Sequence, residues 1–187
     1  MRLFLAIELD DASRAAVVAE QRRVLSAMGT QGRALRMVRA EQLHVTLVFL
    51  GEVDAAVSRA VVHACEAPIS RAPYAVSFAG LGTFPAEGAP RVLWLGMVRG
   101  AAETQAVHGE LLARLAPLEL EMEARDFAPH LTLGRWRQGR PRDRRAIPSQ
   151  PTTIATMEVD AVTIFQSRLE RDRAVHTVLG RAPLVCR

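Results

Sequence analysis

Histidine and threonine stand two residues apart at His44 and Thr46, and again at His130 and Thr132. The second motif follows the first by 86 positions, from residue 44 to residue 130. In extended backbone, residues i and i+2 project from the same face, so each motif sets an imidazole beside a hydroxyl. A single motif of this kind is ordinarily a core histidine with a satisfied hydrogen bond. Two matching copies in one short chain point instead to a shared site. Imidazole titrates near neutral pH, with an ordinary pKa of about 6.5. One of a pair can take a proton from water while the other, protonated, gives one to a leaving oxygen; such positioned transfers contribute roughly 10²–10⁴-fold. Two threonine hydroxyls can donate to the non-bridging oxygens of a phosphate as charge develops. Together these groups suit hydrolysis of a strained phosphodiester without a metal or a covalent intermediate.

The elements that must position these groups can be read in order. Leu3 to Leu9 is an apolar run of strand length. Asp10 or Asp11 caps a helix, with Ala15, Val18, Leu25 and Met28 as its expected apolar stripe, ending at Gly29 to Gly32. Arg36 to Val38 is a candidate short strand, and Leu43 to Leu50 carries the first motif. Asp54 caps a second helix, on which Val57, Val61 and Cys65 recur every fourth residue. Tyr74 to Phe84 and Arg91 to Val98 read as a hairpin around the glycine- and proline-rich segment 85–90. A third helix over 101–115 turns Val107, Leu111 and Leu115 to one side. Leu118 to Met122 is a candidate short strand, and His130 to Trp136 carries the second motif. Met157 to Phe165 and Ala174 to Leu179 are expected to pair around a turn at Glu170 to Asp172. Strand pairs interleaved with three helices predict an α+β fold, with antiparallel sheets and helices outside. The recurrence of the motif predicts an internal duplication of about 85 residues.

A chain of 187 residues fits one domain or two small lobes sharing a core. No apolar run approaches the length of a membrane span. The opening segment, Met1 to Glu8, meets an acid early and lacks a small-residue cleavage site, so it reads as a strand and the expected compartment is the cytoplasm. Cys65 and Cys186 form no CxxC pair, which argues against a disulfide framework or a thiolate metal site. The net charge is +4 and all 24 basic residues are arginine. The plain reading of the bias, which also suits the alanine richness, is genomic base composition. Guanidinium groups nevertheless grip phosphate in a bidentate way and stack on bases, so a basic surface favours an anionic partner.

The paired motifs His44-Val45-Thr46-Leu47 and His130-Leu131-Thr132-Leu133 resemble those of the 2H phosphoesterases. Within that superfamily the chain is similar to the bacterial RNA 2′,3′-cyclic phosphodiesterases, also called 2′-5′ RNA ligases. The likeness runs through Arg2 to Ile7, Leu43 to Glu52, Gly82 to Pro85, Arg91 to Gly96, Phe127 to His130 and Phe165 to Leu169. It implies two pseudo-symmetric lobes of antiparallel sheet with helices outside and the active-site cleft between the lobes, formed by residues 1–187 as a single bilobal domain. It implies opening of an RNA-terminal 2′,3′-cyclic phosphate to a 2′-phosphate, reversible as 2′-5′ ligation. It also implies an RNA or oligonucleotide partner bearing that end, no membrane partner, no metal and no cofactor; the expected working form is a monomer. Carried over, His44 is the proton donor to the leaving 3′-oxygen, His130 the proton acceptor from water, and Thr46 and Thr132 hold the phosphate. The symmetry of the motifs leaves the two histidine roles exchangeable. The family often has an aromatic residue where Met37 stands and a tyrosine where His176 stands.

Arg135, five residues after His130, matches a substrate-contacting arginine of the family. An uninterrupted strand would point it away from His130, and only a strand end or a bulge turns it back. Phe49, five residues after His44, meets the same parity difficulty; it is either a base-stacking residue or core. The arginine run from Arg137 to Arg145 reads as a solvated loop or as a contact to an RNA backbone. His63 and His108 are expected at the surface. A zinc site on His44, His130 and a third ligand has no HExxH spacing or acidic cluster behind it. Two other readings remain: a phosphodiesterase of the same fold acting on 2′-5′ oligonucleotides or small cyclic nucleotides, and a non-catalytic module that binds RNA ends.

Overall fold

A computed structural model describes residues 1–120, 126–137, 144–149, 152–170 and 173–186. It contains ten strands: β1 (Arg2–Glu8), β2 (Leu35–Met37), β3 (His44–Glu52), β4 (Ile69–Ser70), β5 (Tyr74–Phe84), β6 (Val92–Arg99), β7 (His130–Trp136), β8 (Ala155–Val159), β9 (Ala161–Glu170) and β10 (Arg173–Val185). The α-helices are α1 (Asp11–Met28), α2 (Ala55–Cys65) and α3 (Ala101–Leu115). One sheet has the order β3-β1-β9-β10-β4 and the other β2-β7-β6-β5-β8. Pairing is antiparallel except between β10 and β4. The α+β fold with two antiparallel-rich sheets is therefore as expected.

The duplication is visible in the sheet order. The run β3-β1-β9-β10 in the first sheet corresponds to β7-β6-β5-β8 in the second. In each half a motif strand lies beside the strand that precedes its helix: β1, α1, β3 in one and β6, α3, β7 in the other. The sheets meet where β3 contacts β7. The helices cross over: α1 packs against β8 of the second sheet, whereas α3 packs against β3 of the first. One apolar core runs through both halves, with Leu3, Leu5, Ile7 and Ile164 from one sheet and Phe78, Leu93, Leu95 and Leu131 from the other. Phe4, Ala6 and Phe165 form a separate small cluster on the opposite face of the first sheet. No helix among the described residues is long and apolar enough to cross a membrane.

Three local expectations are corrected. The Asp10 carboxylate does cap α1, accepting from the Ser13 N–H at 2.7 Å, and Gly29 ends the helix with a φ of 52°. Its buried face, however, is Ser13, Val17, Glu20, Gln21, Val24 and Met28 rather than the stripe through Ala15, Val18 and Leu25. Apolar periodicity missed it because two of the buried positions are polar residues with specific partners: Glu20 pairs with Arg23 at 2.7 Å and Gln21 bonds to two carbonyls. The expected strand from Met157 to Phe165 is two strands that part at Asp160, β8 joining the second sheet and β9 the first. Segment 116–118 is a single 3-10 turn rather than the start of a strand. Residues 121–122 and the turn at 171–172 lie outside the described residues.

Candidate active site

The site starts from strand pairing. On β3, Thr46 lies opposite Ala6 and His44 opposite Glu8; on β7, Thr132 lies opposite Trp94 and His130 opposite Gly96. Each motif thus spans two successive positions on one face. Beyond the threonine, the pairing slips in both strands. Leu5 faces Val48, leaving Leu47 without a partner, and Leu93 faces Gly134, leaving Leu133 without one. The extra residue is a β-bulge, which re-aims the side chains that follow it. Leu47, Val48 and Leu133 are all buried, so two consecutive residues turn inward and parity reverses after them. Phe49 then pairs with Phe4, on the face of Ala6 and Glu8, and Arg135 pairs with Val92, on the face of Trp94 and Gly96. Straight-strand parity, which points Phe49 and Arg135 away from the histidines, is overturned by the same bulge in both halves. Phe49 is 51% exposed, so it is not core.

The two imidazoles are held alike. The Nδ1 of His44 is 2.8 Å from the Gln42 carbonyl, and the Nδ1 of His130 is 2.7 Å from the Ala128 carbonyl. A carbonyl only accepts, so Nδ1 carries the hydrogen in each ring and Nε2 is left to accept or, once protonated, to donate. Gln42 is itself anchored through its amide to the Ala174 carbonyl on β10.

Their surroundings differ. His44 stacks on Phe4, with ring centroids 4.8 Å apart and planes at 28°, and meets His176 edge-on at 5.5 Å. His130 meets Phe84 edge-on at 5.0 Å and lies 6.2 Å from Trp94. Burial lowers the His44 pKa to about 4, aided by the neighbouring charges of His176, Arg135 and Arg14 and opposed by the Gln42 hydrogen bond. Burial also lowers that of His130, with Arg135 adding to it and the Ala128 bond opposing it. The Arg135 charge acts on both imidazoles, and the strands that carry them, β3 and β7, are in contact.

Several neighbours of the histidines carry no signal in the sequence. Phe4 and Trp94 are ordinary strand residues there, and pairing alone brings their rings to the histidines. Trp94 can lie across β5 because residue 82 is glycine: a Cβ there would fall 2.1 Å from the indole Cη2. His176, at the family's tyrosine position, does reach the first histidine. His108 is half-buried, with Nδ1 2.9 Å from the Leu47 carbonyl, rather than a plain surface group. The sequence signal for it is its place at the edge of the α3 apolar stripe, whereas His63, which is exposed, falls off the stripe of α2. Of the arginine run, residues 138–143 lie outside the described residues. Arg144 bonds to the Thr83 hydroxyl at 2.6 Å and to the Pro85 and Gly88 carbonyls, so it staples the β5–β6 turn. Among the described residues, no group of three or more His, Cys, Asp or Glu side chains is arranged to hold a metal ion.

Two antiparallel-rich sheets that each present a His-x-Thr face define the two-histidine class of phosphoesterases. The chain belongs to the 2′-5′ RNA ligase superfamily, whose family description matches residues 10–171. An RNA 2′,3′-cyclic phosphodiesterase of Archaeoglobus fulgidus is 34% identical over 142 residues, covering 75% of this chain and 76% of that protein. A solved protein of Thermus thermophilus superimposes with a TM-score of 0.82 at 28% identity, covering 98% of each chain. The apo form of E. coli LigT gives a TM-score of 0.77 at 28% identity, over 98% of this chain and 96% of that one. LigT has also been solved with 3′-AMP and with phosphate.

Proposed function

We propose that this protein is a phosphodiesterase that opens the 2′,3′-cyclic phosphate at an RNA end to a 2′-phosphate, with His44 and His130 as its acid–base pair. The observation that carries the reading is the matched pair of imidazoles. Each is fixed through Nδ1 to a backbone carbonyl, with Nε2 left for proton transfer and Arg135 charged beside both. One Nε2 takes a proton from water, whose oxygen attacks phosphorus. The bond from phosphorus to the 3′-oxygen breaks, and the other Nε2 gives that oxygen its proton. Thr46 and Thr132 donate to the non-bridging oxygens. Two proton transfers and hydroxyl donors complete the chemistry, so no metal is required. With a 5′-hydroxyl in place of water, the same steps join two strands through a 2′-5′ linkage.

The family likeness makes His44 the acid. Its low pKa in the free cleft favours its neutral form, so a bound phosphate anion must first raise it; without that rise the roles exchange, with His44 as base and His130 as acid. Arg135 and Phe49 fit contacts to the phosphate and to a base. The reading includes a monomeric working form, residues 1–187 as one bilobal unit, and the cytoplasm as its compartment. Two unpaired cysteines, one buried and one exposed, are compatible with reducing conditions.

The test is hydrolysis of a cyclic-phosphate-ended RNA oligomer in excess chelator by wild type, His44→Ala and His130→Ala. Turnover by the wild type alone is expected. Activity abolished by chelator would sink the metal-free mechanism, and equal activity in all three proteins would sink the assigned pair. Binding without turnover in the wild type would mean a module that only holds RNA ends.

A further inference from the structure

The two bulges are clamped by side chains from the crossed helices. On β3 the residue left without a partner just after the motif is Leu47, a second slip beyond Phe49 leaving out Leu50 as well; the Leu47 carbonyl accepts from Nδ1 of His108 on α3 at 2.9 Å. On β7 it is Leu133, whose carbonyl accepts from Nε2 of Gln21 on α1 at 2.9 Å and from the Val38 N–H at 2.8 Å. The second hydrogen of the Gln21 amide goes to the Val38 carbonyl at 2.8 Å. Gln21 and His108 are 87 positions apart and the two leucines 86, so the halves place different side chains in equivalent roles. Gln21 is 5% exposed, deep enough that losing its partners leaves polar atoms unsatisfied. His108 also stacks on Phe127, with centroids 4.1 Å apart and planes at 19°, three residues before His130. One ring thus ties the strand of His44 to the approach to His130.

The bulge decides which face Phe49 and Arg135 occupy, because side chains alternate with period two and a slip of one residue sends each to the other face. Holding the extra residue in place therefore holds the two side chains that follow it. We propose that Gln21 and His108 are positioning residues, each fixing a bulge and thereby keeping Arg135 and Phe49, respectively, on the cleft face. This rests on the reading that the cleft binds a cyclic phosphate end.

The experiment pairs kinetics with structure. Gln21→Met and His108→Leu remove the donors while keeping bulk. His108→Gln restores an amide donor like that of Gln21. For a cyclic-ended oligomer, Gln21→Met is expected to lower kcat/KM about ten- to a hundredfold, as misplacement of a contact group by about an ångström does. In an Arg135→Ala background the same substitution is expected to change kcat/KM less than about twofold, because the group it positions is gone. His108→Leu is expected to behave in the same way against Phe49→Ala, and His108→Gln to recover most of the loss. Multiplicative effects in the double variants would mean general destabilisation and would overturn the proposal. Crystal structures of the variants decide the matter independently of turnover. Arg135 still opposite Val92 in Gln21→Met, and Phe49 still opposite Phe4 in His108→Leu, would overturn it even if the wild type proved inactive on cyclic phosphates. If Gln21→Met does not fold, the half-exposed His108 carries both measurements.

Discussion

Phe4 lies against the imidazole of His44 with 4.8 Å between ring centroids, and the ring of Phe4 is itself only 4% exposed. The Phe4 ring excludes water from one side of the imidazole, and burial is the largest cause of the low His44 pKa. Among the described residues His130 has no equivalent flat partner; its near neighbour Phe84 meets it edge-on, with planes at 81°. The two halves repeat their backbone but not their electrostatics.

This asymmetry shapes the pH dependence. Both imidazoles have pKa values below the ordinary 6.5, with that of His44 at about 4. Catalysis needs one of them protonated and the other neutral. In the free enzyme that state is most populated between the two values, so the descending limb of kcat/KM is expected below pH 6.5, where the lowered pKa of His130 puts it. Anionic substrate favours protonation, so the kcat profile lies at higher pH than the kcat/KM profile. Rate profiles on a cyclic-ended oligomer check both points; kcat/KM rising steadily from pH 6.5 to 8 would contradict the assignment.

His176 is the second cause of the low His44 value, after burial. His176→Phe keeps a ring against Phe4 and removes the charge, so the His44 pKa is expected to rise from about 4 toward 6.5. NMR titration of the His44 ring protons reads the shift directly. An unchanged value would leave burial and the charges of Arg135 and Arg14 as the causes.

Arg135 lowers the pKa of both histidines through its charge. Arg135→Ala is expected to raise both values in the free protein while reducing kcat/KM by about a hundredfold, the scale of losing one preorganised donor to a developing oxyanion. Arg135→Lys keeps the charge but not the planar fork, so the titrations stay near wild type while KM rises. A Lys variant equal to wild type in KM would show that only charge matters there.

Gly82 has no room for a side chain beneath Trp94, where a Cβ would sit 2.1 Å from the ring. Gly82→Ala is expected to cost about 1–3 kcal/mol, as overpacking does, and to displace the indole from the neighbourhood of His130. Urea unfolding measures the cost. The double variant Gly82→Ala/Trp94→Leu is expected to recover much of it, since the clash needs both partners.

Stability also responds to pH through His44. Its folded pKa lies below the unfolded value of about 6.5, so its contribution is complete above pH 6.5 and is lost as pH falls toward about 4. The loss amounts to roughly 3 kcal/mol as an upper bound, at 1.36 kcal/mol per pKa unit. Chemical unfolding at pH 7 and pH 4 is expected to show a smaller difference in His44→Gln than in wild type.

Much of this protein is legible in the order of its residues. The alternation and apolar runs of Leu3 to Leu9, Tyr74 to Phe84 and Val92 to Val98 specify strands, Asp10 and Asp54 specify helix starts, and the repeated His-x-Thr specifies one face on each of two strands. These are local properties, set by period and capping within a few residues. What tertiary structure alone decided is where pairing slips. Leu47 and Leu133 look like any other strand leucines; they become bulges only because of how β1 and β6 lie against them and because His108 and Gln21 arrive from crossed helices to hold their carbonyls. That non-local event returns Phe49 and Arg135 to the face of the histidines. The same holds for His176, brought to His44 by the pairing of β9 with its neighbours, and for the break at Asp160, where what reads as one strand divides between two sheets. Side-chain direction on a strand depends on register, and register belongs to the pair of strands rather than to either one.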